Sequence, residues 1–89
     1  MRYEWDEEKR AANLAKHGLD FADVERGFDW HTSIAIDPDV IDSEVRERDL
    51  GLLQGRVVLL VWSDRDDSVR IISLRPATPG ERRFYVKYS

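Results

Sequence analysis

The sequence predicts an α+β domain: a small antiparallel β-sheet with two helices before it and one after, in the order β-α-α-β-β-β-β-α. Three observations carry this. Apolar positions recur three and four apart up to Phe28, then alternate with a period of two from Thr32 onward. The later apolar runs are separated by short polar turns, which join antiparallel strands and leave no room for parallel crossovers. At 89 residues the chain has one modest core, hence a single domain over 1–89.

The elements follow in order. Arg2 to Trp5 alternates weakly and reads as a short edge strand. Asp6 is a good N-cap for a helix over Glu7–His17, whose first-turn Glu7 and Glu8 suit the positive end of the helix dipole. Ala11, Leu14 and Ala15 give that helix a narrow apolar face, and Gly18 closes it. Asp20 caps a second short helix with Phe21, Val24 and Phe28 on one side, ending near Gly27. Thr32 to Ile36 alternates as a strand, and Asp37-Pro38-Asp39 reads as a turn. Val45–Leu53 is ambiguous by composition, but the Gln54-Gly55 pair after it predicts a hairpin, so it is assigned as a strand. Arg56–Trp62 is nearly all apolar and β-branched, the mark of a central strand buried on both faces. Ser63–Ser68 reads as a polar turn and Val69–Arg75 as the last strand. Thr78, Pro79 and Glu81 form a capping box with proline at its preferred place, and Phe84 and Tyr88 offer the final helix an apolar edge.

Charge is unevenly divided. Residues 1–45 hold five Lys/Arg and twelve Asp/Glu, a net of −7; residues 46–89 hold nine and six, a net of +3, so the total is −4. A basic C-terminal half can meet phosphate while the acidic half meets a basic partner, though an unevenly charged solvated surface explains the same numbers. The absence of cysteine excludes disulfides and thiolate metal sites. No apolar run approaches a membrane span, and Met1 to Arg10 has no signal-like apolar stretch, so a cytoplasmic protein without membrane contact is expected.

Most catalytic constellations are missing. His17 and His31 lie too far apart for a paired metal motif, and the acidic run from Asp37 to Glu44 fails the calcium-loop pattern, so no metal and no cofactor are expected. No serine elbow or glycine-rich phosphate loop is present. Arginines and tyrosines remain. RNA cleavage by its own 2′-hydroxyl needs cations for the phosphorane and groups to move protons. Arginine grips phosphate bidentately but does not act as a base. Arg70 and Arg75, five apart, reach one face of a strand only with a bulge. Tyr85 can stack a base or assist proton transfer, and His17 has the right side chain for neutral-pH titration. Each has a plain structural explanation as well: solvated arginines, packing tyrosines, a histidine at a helix end.

Several segments resemble one family of bacterial toxins. The opening Tyr3-x-Trp5-Asp6-x-x-Lys9-x-x-x-Asn13-x-x-Lys16-His17-Gly18-x-x-Phe21 looks like the start of BrnT, as does Arg46 five residues before Gly51. Arg70-Ile71-Ile72-Ser73-x-Arg75-x-Ala77 resembles its most distinctive block, and Glu81-Arg82-Arg83-x-Tyr85 its last helix. The chain departs from the pattern at Val45, where the family usually carries glutamate. The resemblance implies a RelE-like fold and a type II toxin–antitoxin toxin: an endoribonuclease that stops translation, acting on RNA, free or on the ribosome. It also implies neutralisation by a BrnA-type ribbon-helix-helix antitoxin in a 2:2 complex that touches operator DNA only through the antitoxin. Carried onto this chain, it points to Arg70, Arg75, Arg83 and Tyr85 as catalytic and to Arg46, Arg82 and His17 as RNA-binding. A homologue that has lost catalysis and only binds partners, or a small β-sheet interaction module, is the competing reading.

Overall fold

The computed structural model describes all 89 residues. Eight elements follow one another: β1 (Arg2–Trp5), α1 (Glu7–His17), α2 (Phe21–Gly27), β2 (Ile34–Ile41), β3 (Glu44–Leu53), β4 (Arg56–Arg65), β5 (Ser68–Pro76) and α3 (Pro79–Tyr88). They build one five-stranded sheet in the order β1-β5-β4-β3-β2, with β4 central as its apolar composition predicts. The α+β class and the element order are those expected. One pairing differs: β1 runs parallel to β5, because both helices α1 and α2 lie between it and the hairpins and return the chain to the opposite edge.

Two turns are displaced from their expected places. Asp37-Pro38-Asp39 does not end β2; the strand runs on to Ile41 through an irregularity between Ile36 and Asp39. Pro38 lacks a backbone donor, but an edge strand tolerates that, and β2 is an edge. The chain reverses at Asp42-Ser43, with φ of 51° and 66°, as a two-residue hairpin with both central residues left-handed requires. Gln54-Gly55 makes the same kind of turn, as expected. The Ser63–Ser68 segment is not all turn: β4 continues to Arg65 and only Asp66-Asp67 bridge to β5.

The caps hold as expected. Asp6 accepts hydrogen bonds from the Glu8 and Lys9 amides, Gly18 is left-handed at φ 70°, and Thr78 with Glu81 completes the capping box of α3. The helix faces are the surprise. Ala11, Leu14 and Ala15 of α1 point to solvent. The inward side carries Arg10, Asn13 and His17 instead, because α1 docks on the edge of β5 by hydrogen bonds rather than by apolar burial. Arg10 grips the α2 cap Asp20 with two bonds of 2.8 and 3.0 Å. On α3, the Phe84 and Tyr88 rings touch at a tilt of 46°, centroids 4.8 Å apart, and stay exposed, while Tyr85 is the residue that enters the core.

The sheet has two unlike faces. Alternation along β4 sends Val58 and Leu60 to one side and Leu59 to the other. The α2 face holds the larger core, with Phe21, Val24 and Phe28 packed on Leu60, Ile71 and Leu74. The α3 face holds a smaller core of Leu50, Leu59, Ala77 and Tyr85.

Candidate nucleic-acid interface

A β-bulge on β5 sets the geometry of the α3 face. Val61 pairs with Ser73 and Trp62 with Ile71, so Ile72 is an extra residue. One extra residue reverses the alternation beyond it. Val69, Ile71 and Leu74 therefore all reach the α2-face core, and Arg70, Ser73 and Arg75 all project from the α3 face. The bulge that Arg70 and Arg75 need in order to share a face is present. Four register steps along β4, from Ser63 to Leu59, separate them by about 13 Å.

Cross-strand rows bring further cations to the same surface. Arg70 pairs with Ser63 on one side and Glu4 on the other. One residue beyond the Glu47–Trp62 pair, Arg46 lies across from Ser63, and Asp39 pairs with Arg46 on the far side. The adjacent row runs from Ile36 through Arg48 and Val61 to Ser73. Arg46, Arg48 and Arg70 thus share the part of this face that the α3-face core leaves open.

Each of these arginines has a loose carboxylate partner. Arg46 Nε is 3.3 Å from Glu44, Arg70 Nη1 is 3.7 Å from Glu4, and Arg48 Nε is 3.9 Å from Asp39 while donating a 2.7 Å hydrogen bond to the Asp37 carbonyl, so Arg48 is the more firmly held of the three. Ion pairs this exposed contribute roughly 0–1 kcal/mol, so a phosphate displaces them at little cost. Arg75 is held differently. Its Nη1 and Nη2 donate to the two Glu81 oxygens at 2.8 and 3.0 Å, and Nη1 also donates to the Pro76 carbonyl. This bidentate grip, with the Thr78 amide bond to Glu81, pulls the Glu81 carboxyl down to about 2. Arg75 fastens α3 to the end of β5.

The other expected residues divide. His17 lines a cleft of about 400 Å³ between α1 and β5, with Lys9 and Lys16 from the helix and Ser73 and Arg75 from the strand. Arg82 and Arg83 are exposed on α3 beside Lys87, and Arg82 also donates to the Ala77 carbonyl. Tyr85 is only 6% exposed, and its hydroxyl lies 2.8 Å from Thr32 Oγ1. Thr32 spends its own proton on Asp29, so Tyr85 is the donor. The Thr32 hydroxyl, donating to Asp29 together with the Thr32 and His31 amides, holds the Asp29 carboxyl below its ordinary range. A ring so placed packs the α3-face core and presents no surface on which a base can stack.

Sequence reasoning passed over Arg48 and Ser63. The spacing Arg46-x-Arg48 in a strand was the available signal, since residues two apart share a face. Ser63 carried no signal, because its place depends on the cross-strand register. Nowhere do three or more His, Asp or Glu side chains gather as a metal site would need.

An arginine-studded sheet face beside a lysine-lined cleft has the chemistry of a phosphate-rich ligand. Residues 5–81 match the family described as the ribonuclease toxin, BrnT, of type II toxin–antitoxin systems. The chain belongs to the BrnT family. No curated protein matches it. Membership makes RNA the substrate class and an antitoxin the partner. The segments that resemble BrnT serve the fold. Asp6, Asn13 and Gly18 fix α1, Phe21 sits in the core, and Gly51 lies under the Phe28 ring. No helix of this BrnT chain is long and apolar enough to cross a membrane.

Proposed function

We propose that this BrnT chain cleaves RNA without a metal ion, by attack of a 2′-hydroxyl on the adjacent phosphorus, on the open part of the α3 face. The observation that carries the reading is the set of three arginines on one sheet face, Arg46 and Arg70 loosely paired with carboxylates and Arg48 in the adjacent row held by the Asp37 carbonyl. In this reaction the 2′-O–P bond forms and the P–O5′ bond breaks, leaving a 2′,3′-cyclic phosphate and a 5′-hydroxyl. The guanidiniums meet the charge that grows on the phosphorane oxygens. A base accepts the 2′ proton and an acid supplies one to the 5′ oxygen. His17, in the cleft with Ser73 and Arg75, is the residue we assign to proton transfer. Arg82 and Arg83 extend the cationic surface to neighbouring phosphates. Arg75 and Tyr85 position α3 and do not act on RNA directly.

The wider reading follows from the resemblance to BrnT. RNA loss stops translation in the cytoplasm, whether the RNA is free or on the ribosome. A BrnA-type ribbon-helix-helix antitoxin neutralises the toxin in a 2:2 complex and carries it to operator DNA.

The test is inducible expression of wild type beside Arg46→Ala and Arg70→Ala, with purified proteins incubated with RNA in EDTA. Growth arrest and cyclic-phosphate-ended products from wild type alone are expected. Equal cleavage by both variants moves the site elsewhere. Folded wild-type protein that neither arrests growth nor cuts RNA supports instead a homologue that only binds its partners.

A further inference from the structure

Ser63 is 4% exposed, and its hydroxyl is the one buried side-chain polar atom without a hydrogen-bond partner. Buried hydroxyls are nearly always satisfied, because desolvating one without compensation opposes folding. A chain that gains nothing from this hydroxyl in its free state would be at least as stable with alanine. Its place in the sheet supplies a use. Ser63 faces Arg70 across β5 and, one residue beyond the last β3–β4 pair, faces Arg46 across β3. Directly opposed side chains start within about 5.5 Å of each other, so the arginine stems flank the short serine on both sides. Their guanidiniums are drawn off it, towards Glu4 at the β1 edge and towards Glu44 along β3. The row thus holds a donor with no acceptor, covered in the free chain and flanked by two arginine stems that must move for a phosphate oxygen to reach it.

We propose that Arg46, Ser63 and Arg70 form one phosphate subsite, in which the Ser63 hydroxyl donates to a non-bridging oxygen of an RNA phosphodiester clamped by the two guanidiniums. This deepens the proposed function and rests on its placing RNA on the α3 face. The phosphate replaces two weak ion pairs with charge-assisted bonds and gives the orphaned hydroxyl its acceptor. A group whose only partner is the ligand is a costly one to keep in the free protein, and that cost is what the substitution reads.

The experiment compares Ser63→Ala, Arg46→Ala and Arg70→Ala for thermal stability and for binding a short 2′-O-methyl oligoribonucleotide, which cannot be cleaved. The expected result for Ser63→Ala is an unchanged or raised Tm with affinity lowered roughly 10–100-fold, the range for a hydrogen bond to a charged group. If alanine lowers the Tm, Ser63→Cys fills the hydroxyl's space with a somewhat larger atom that is a much weaker donor, and it is expected to show the same loss of affinity. Full affinity in the folded serine variants with loss in both arginine variants overturns the subsite and leaves the functional reading standing. Full affinity in all variants overturns both.

Discussion

The side-chain amide of Asn13 forms a two-way hydrogen bond with the backbone of Leu74: Nδ2 donates to its carbonyl at 2.8 Å and Oδ1 accepts from its amide at 3.2 Å. The parallel ladder between β1 and β5 ends at Trp5 and Ile71. Asn13 adds one more rung beyond that end, copying a peptide group. The same Nδ2 also donates to the Leu19 carbonyl, so one side chain ties α1, the turn after it and the edge of β5.

Asn13→Ala should therefore destabilise more than an ordinary helix-surface change. It leaves the Leu74 amide and carbonyl unpaired at a half-buried edge, a cost of about 2–4 kcal/mol. Urea denaturation measures the loss, and hydrogen exchange at the Leu74 amide locates it. Asn13→Asp keeps the acceptor but sets a carboxylate oxygen against the Leu74 and Leu19 carbonyls, so it should destabilise at least as much. A midpoint shift in Asn13→Ala no larger than that of the exposed Ala11→Gly control would refute the assignment.

The Arg75–Glu81 pair predicts an acid limb to the stability curve. The Arg75 guanidinium holds the Glu81 carboxyl at about 2, well below its ordinary 4.5. Its stabilising contribution is therefore complete above pH 4.5 and is lost as pH falls through the folded value near 2. With Arg75 partly exposed, the contribution is on the order of 2 kcal/mol. Asp20, lowered chiefly by its hydrogen bond from Arg10, acts in the same direction. Glu81→Gln should lower the Tm at neutral pH and flatten, without abolishing, its fall below pH 4.5. Parallel Tm–pH curves for the two proteins would remove Glu81 from the account. Arg75→Ala should show the neutral-pH loss as well, so any drop in its toxicity must be weighed against its folded fraction.

Gly51 predicts a packing failure. A Cβ built there lies 2.5 Å from Phe28 Cζ and 2.9 Å from Cε1. Gly51→Ala forces the buried Phe28 ring to move, an overpacking cost of about 1–3 kcal/mol. Phe28→Leu opens space, so the double mutant should be more stable than the sum of the single changes implies. Additive losses in a denaturation series would show that the ring does not press on this position.

These residues also show which parts of the fold local sequence can and cannot reveal. Caps, the Gln54-Gly55 turn and the apolar central strand are local, and they stood out in the sequence because the side chains at those positions act on their own backbone, whereas the Asp42-Ser43 turn did not. What α1 rests on is not local. Its apolar stripe of Ala11, Leu14 and Ala15 looked like the buried face, but Asn13 and Arg10 hold the helix by hydrogen bonds to chain distant in sequence. The burial of Tyr85 was hidden for the same reason, since its acceptor on Thr32 lies on another segment. Arg46 and Arg70 were recognisable as cations, but their convergence on Ser63 needs both the register of β3 on β4 and the Ile72 bulge, and neither leaves a mark on composition.

The last prediction uses salt to count the arginines that meet RNA. For single strands, log K falls with log salt by about 0.7 per phosphate contact through counterion release. Arg46, Arg48 and Arg70 share one face, so each Arg→Ala change should weaken binding at low salt and make the slope shallower by about 0.7. Arg56 is a matched control: it is exposed, and the alternation of β4 places it on the side of Val58 and Leu60, away from that row. Arg56→Ala should leave the slope unchanged. Ser63→Ala separates the two kinds of contribution, because a neutral hydroxyl releases no counterion; it should weaken binding equally at every salt concentration and leave the slope intact. A reduced slope in Arg56→Ala, matched to that of Arg70→Ala, would mean RNA contacts both faces and would remove the α3 face from its privileged place.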